Sequence, residues 1–164
     1  MSLAALRVGL TRLAVSCALG GGFLLLGAVG VTSASVIRGL FGTPILGDSE
    51  VVELLLGVAV VLCMPLCEMR GVHVLVDFFT QKLPPRATGT LDAAMRAVVA
   101  LVVAILAWRL AVGGIGMWER ERDTMFLQLP YWWGYAAATL GMVAWTLCAG
   151  FVAVEGLAKL RRTA

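Results

Sequence analysis

The sequence predicts an all-α membrane protein: four transmembrane helices plus a short interfacial amphipathic helix between spans two and three. Composition comes first. Of 164 residues, 60% are hydrophobic and 14% charged, which leaves less polar surface than a soluble domain of this length requires. The charges are also excluded from long runs. Residues 13–37 carry none over 25 positions and 125–154 none over 30, whereas about 20 apolar residues suffice to cross a bilayer. Two further apolar runs hold one charge each, Glu53 within 51–67 and Arg109 within 97–118. The spans fall at about 13–37, 51–68, 95–118 and 128–155. With no repeat and no low-complexity linker, one domain over 1–164 accounts for them.

Span one follows Arg7 and Arg12, which resemble the positive start of a signal peptide, but its apolar run exceeds the usual ~7–15 residues. A retained anchor helix is expected. Its small residues Ala14, Ala18 and Gly22 recur at helical spacing, a pattern that lets helices approach closely in lipid. Span four has similar series at Ala137 and Gly141 and at Ala149 and Ala153. Between spans one and two, a turn region rich in Gly and Pro leads to Asp48, Ser49 and Glu50. Acids there favour a helix N-terminus, and Asp48 or Ser49 is a candidate cap. Pro65 predicts a kink near the inner end of span two.

The link between spans two and three reads VHVLVDFFTQKL over 72–83. On a helix His73 and Asp77 fall on one side, and Val72, Leu75, Val76, Phe79 and Leu83 on the other. Such a helix is too short and too polar to cross, so it is expected to lie in the inner interface or against a partner. Pro84 and Pro85 end it, and Asp92 and Arg96 form an i,i+4 pair entering span three.

Lysine and arginine set the orientation. Nine lie in the two termini and the middle link against three in the other loops, so both termini and the link face the cytoplasm. The net charge of +3 therefore reads as topology, since no clustered basic face suggests nucleic acid. Arg109 within span three calls for a partner. Glu53 is the expected one within this chain, a carboxylate on another subunit the alternative, and snorkelling to the outer surface the third. The mixed-charge run Glu119, Arg120, Glu121, Arg122 and Asp123 reads as a solvated outer loop, and the aromatics Tyr131, Trp132, Trp133 and Tyr135 mark the outer interface.

Catalytic motifs are sparse. His73 is the only histidine, so the axial ligands of a two-haem cytochrome are missing, and no nucleotide-binding Gly-rich loop is present. Cys17, Cys63, Cys67 and Cys148 all fall in spans without a Cys-x-x-Cys motif and read as packed, reduced residues. The residues describe a scaffold built to associate with another membrane protein.

Three stretches then carry a family likeness. An acid, Glu50 or Glu53, opens span two. Arg70-Gly71-x-His73-x-x-Val76-Asp77 is followed by Leu83-Pro84. Thr124-x-x-Leu127-x-x-Pro130-x-Trp132 opens the last span. In this order, with four spans and both termini inside, the chain resembles the small (Q-type) membrane subunit of tripartite ATP-independent periplasmic (TRAP) transporters over most of its length. The family often has an aromatic or arginine near the start of span two, where this chain reads Ser49-Glu50-Val51-Val52-Glu53. Which glutamate is the family's acid stays open.

The resemblance implies a non-catalytic small permease subunit in the bacterial inner membrane, without a cofactor of its own. Its partners would be membrane lipids, a large multi-span subunit holding the substrate and sodium sites, and a periplasmic substrate-binding protein. The small subunit would hold the large one as its transport domain moves, in symport of organic acids. Glu50, Glu53, Arg70, His73, Asp77, Arg109, Thr124, Pro130 and Trp132 are its candidate interface or structural residues, and Glu119–Asp123 its candidate docking loop. A self-sufficient small exporter and a membrane thiol redox enzyme using Cys63 and Cys67 are the alternatives.

Overall fold

The structure is a computed structural model that describes residues 3–43, 45–71 and 85–163. It consists of four long helices: α1 (Leu3–Leu40), α2 (Asp48–Arg70), α3 (Pro85–Glu119) and α4 (Trp132–Thr163). All four are long and apolar enough to cross a membrane. The expected interfacial helix at 72–83, with His73 and Asp77, lies outside the described residues.

Three ends run past the apolar runs. α1 begins at Leu3 and not 13, α3 at Pro85 and not 95, and α4 continues to Thr163, beyond 155. These ends lie on one side of the molecule, because α1 and α3 start where α4 finishes. With 38 residues, α1 is roughly 57 Å long, well over the ~30 Å hydrocarbon core. Charge ends a hydropathy run but does not end a helix, and Ala, Leu and Arg are good helix formers in water as well. Pro85 is the first residue of α3, where its missing N–H costs no hydrogen bond. On this side Arg7 of α1 meets Glu155 of α4 at 3.3 Å, and the expected Arg96–Asp92 pair closes at 3.0 Å. The correction runs the other way at the opposite end: α4 starts at Trp132, not 128. Gln128, with φ 51, and Pro130 hold the preceding residues in a loop.

The helices form a row in the order α1, α2, α4, α3. α2 packs on α1 and α4, α4 on α2 and α3, and α1 touches α4 lightly. Neighbours in sequence are antiparallel, so the two central helices, α2 and α4, run parallel to each other.

Small residues set these seams. On α1 the buried positions Ala14, Gly21, Ala28 and Ser35 recur every seventh residue. A side-chain carbon at Gly21 would stand 2.8 Å from the Ala59 carbonyl oxygen and 2.9 Å from Cys63 Sγ. At Gly22, which belonged to the expected four-residue series, it would meet nothing within 4 Å. The seam thus follows a seven-residue period, as left-handed helix packing does. The α2–α4 seam has the same period: Gly134 faces Leu54, and Gly141 faces Val61 and Leu62. Ala149 and Ala153 of the expected α4 series are buried as well. Without a hydrophobic driving force between helices in lipid, such close contact is what holds them.

Candidate functional site

Four of the sequence-selected residues, Glu50, Thr124, Pro130 and Trp132, converge at the end of the α2–α4 seam where both helices begin. α1 ends in a Schellman motif, with Thr43 N–H donating to Arg38 C=O at 3.2 Å and Gly42 N–H to Gly39 C=O at 3.0 Å. Gly42 adopts the left-handed φ of 76° that this motif requires. The chain enters α2 at Gly47, φ 84°, which takes the N-cap position without a side-chain cap. The expected Asp48 or Ser49 cap is therefore corrected. Asp48 instead accepts hydrogen bonds from its neighbour's N–H, at 2.7 Å, and from the Ser35 hydroxyl of α1. A Cβ at Gly47 would lie 2.7 Å from Leu127 Cγ, so only glycine lets this turn pass under the loop between α3 and α4.

That loop, 120–131, is folded into a cap, with Glu119–Asp123 exposed at its start. α3 closes in its own Schellman motif, Arg122 N–H to Met117 C=O at 3.3 Å and Glu121 N–H to Trp118 C=O at 3.1 Å, with Glu121 at φ 43° where glycine is usual. Asp123 and Pro130 pair across a β-bridge. Thr124 is buried inside it. Its N–H donates to Leu129 C=O at 2.9 Å, and its hydroxyl accepts the Leu129 N–H at 2.9 Å. Trp132 opens α4 stacked on Trp118 of α3, ring centroids 5.5 Å apart.

Glu50 joins the two loops. Its carboxylate accepts the Phe126 N–H at 2.8 Å and the Leu127 N–H at 3.1 Å, and is hydrogen-bonded by the Thr124 side chain. A carboxylate receiving backbone N–H groups makes a charge-assisted bond of the stronger kind. The spacing of Thr124, Leu127, Pro130 and Trp132 now has a physical reading. Thr124 pins the turn, Leu127 covers Gly47, Pro130 closes the bridge and Trp132 starts the helix. Of the two acids at the start of α2, Glu50 is the one bonded to this loop.

The other selected residues are not gathered there. Arg70 is exposed at the end of α2. Glu119, Arg120, Glu121, Arg122 and Asp123 are exposed along the rim of the cap. Glu53 and Arg109 are both exposed, and among the described residues no ion pair joins them. Helix register supplies the reason. Leu54 faces Gly134 while Gly113 and Gly114 face Tyr135, so Arg109 lies roughly 8 Å deeper in the row than Glu53.

One pair was not anticipated. Glu68, near the C-terminal end of α2, is 3% exposed and accepts a hydrogen bond from Trp145 Nε1 of α4 at 3.2 Å. The signal was present in the sequence, since Leu54, Val61 and Glu68 are seven apart, but Glu68 reads as the polar edge of span two. Pro65 is buried within an uninterrupted α2. The four cysteines are free thiols, with Cys148 buried, Cys63 against Gly21 and Cys67 exposed. Among the described residues no three His, Cys, Asp or Glu side chains converge as a metal site.

These features define a multi-pass membrane protein whose polar side chains at the seams lock helices together. Residues 27–160 match the family described as tripartite ATP-independent periplasmic transporters, DctQ component. The chain belongs to that family, the small permease subunits of TRAP transporters, which work with other transporter components. No curated protein and no solved structure gives a match.

Proposed function

We propose that the chain is the non-catalytic small subunit of a sodium-coupled uptake system for organic acids, holding the large transport subunit in the bacterial inner membrane with both termini cytoplasmic. The observation that carries this reading is the row of helices, with α1 and α3 at its edges. Its edge helices present large apolar side chains, among them Phe23 and Leu26 on α1 and Leu101 and Trp108 on α3. A row gives a moving partner a broad fixed neighbour, which a compact bundle of the same length does not. Sodium and substrate sites belong, on this reading, to the large subunit.

The folded outer cap supports a docking role for Glu119, Arg120, Glu121, Arg122 and Asp123. Charges on a loop tied down by Glu50 and Thr124 hold a fixed pattern toward a periplasmic binding protein, and such contact is salt-sensitive.

The test is a pull-down of the tagged chain from its native membrane in mild detergent, with mass spectrometry of what accompanies it. A large multi-span protein at near-equal amount is the expected result. Recovery of this chain alone as a stable homodimer would overturn the reading in favour of a self-sufficient exporter.

A further inference from the structure

Glu50 is satisfied by the outer cap, whereas Glu53, one turn further into α2, has no partner among the described residues. It lines a groove of about 310 Å³ with α2 and α3 as walls and α4 as floor. Most of the lining is apolar or aromatic, including Leu54, Gly57, Leu110, Gly134 and Tyr135. At Gly57 the wall is open, since a Cβ there would meet nothing within 4 Å. Arg109 precedes Leu110 and stands one turn before Gly113, which faces Tyr135 of the floor. Helical spacing thus sets Arg109 on the α3 rim of the same groove. It too has no ion-pair partner among the described residues.

Two opposite charges therefore flank one apolar groove, Glu53 level with Trp133 at the start of α4 and Arg109 too far below it for the two to neutralise each other. A charge at the depth of Arg109 is costly unless something pairs with it. We propose that the groove receives a membrane-spanning helix of the large transport subunit, which brings a basic side chain to Glu53 and an acidic one about one and a half turns deeper to Arg109. The proposal rests on the small-subunit reading above.

The geometry favours a helix over the other occupants. Arg109 lies nine residues in from Trp118, roughly 13 Å along the helix and below the aromatic level where headgroups sit. A zwitterionic headgroup does not reach both charges. A second copy related by a two-fold axis sets groove against groove, and a concave surface does not fill itself.

The test uses the intact complex from native membranes, with a benzophenone side chain replacing Gly57 in the groove or, separately, Phe23 on the α1 edge. Light should join the Gly57 probe to the large subunit. Glu53→Gln and Arg109→Gln should each lower the large subunit recovered with the tagged chain by about fivefold, in the range of interhelical polar contacts. Adducts from Gly57 to lipid alone or to a second copy would overturn the proposal, as would unchanged recovery in both Gln variants. The probe works with both charges in place, so it stands even where a Gln variant inserts poorly. If the parent chain brings no large subunit, the small-subunit reading itself fails. If the complex forms and Phe23 captures the large subunit while Gly57 does not, only the groove proposal fails.

Discussion

α3 and α4 are neighbours of similar length, yet they live in different surroundings. Half of the apolar window of α4 is buried within the chain, against 11% of that of α3. α4 is also the least apolar of the four spans and α3 the most. In water the order would be reversed. In a bilayer the lipid is as apolar as leucine, so large apolar side chains gain little by turning inward. Small residues and polar atoms needing partners go to the seams instead. α4 accordingly carries Gly134, Gly141, Cys148 and the Trp145 donor to Glu68, while α3 keeps Trp108, Leu101 and Ile105 on its surface.

The difference can be broken most forcefully by bulk. Gly21→Leu on the α1–α2 seam drives a side chain into the Ala59 carbonyl and Cys63, and should cost about 3 kcal/mol. Gly116→Leu on α3, where nothing lies within 4 Å of a new Cβ, should leave the thermal midpoint in micelles unchanged. Equal losses would mean that the free face of α3 is packed after all.

Trp145→Phe keeps an aromatic ring, though a smaller one, and removes the donor to a buried carboxylate, a loss of about 1–2 kcal/mol by the same melting measurement. A midpoint like the parent's would show that the other contacts of Glu68 suffice without the indole. Thr124→Val should cost about 1 kcal/mol, since the Leu129 N–H loses its acceptor inside the cap. Glu50→Ala acts locally. The amides of Phe126 and Leu127 should exchange with solvent on the order of tenfold faster, while amides in the middle of α4 keep the parent's rate. Uniform acceleration along α4 would show that the clamp holds the whole seam. The smallest effect belongs to the end where α1 begins and α4 finishes. Arg7→Ala removes a pair whose side chains are 58% and 31% exposed and should cost less than about 0.5 kcal/mol. A larger loss would make that end a third clamp.

Spans one and four were legible because charge exclusion over 20 or more residues has few other meanings, and spans two and three because each apolar run is broken by a single charge, Glu53 or Arg109. Helix ends were not, because α1, α3 and α4 continue through charged residues once the apolar run is over. The small residues were visible, but the period was misread. A four-residue series selected Ala14, Ala18 and Gly22, while the packed stripe is Ala14, Gly21, Ala28 and Ser35. Glu50 and Thr124 were both singled out, yet 74 positions separate them, and nothing local says that one caps the turn begun by the other. The Glu53–Arg109 pairing failed for a related reason, since it depends on the offset between two helices that α4 keeps apart.

By itself the sequence determined that the chain crosses a membrane four times, and it held the motifs by which its family is known, because hydropathy and short-range spacing are properties of single segments. The tertiary structure alone decided that α2 and α4 meet as parallel neighbours, that Glu50 and Glu68 are spent inside the chain, and that Glu53 and Arg109 are left facing outward. Those outcomes depend on register between helices, which is set where small residues on two segments come into contact, and no single segment carries that information.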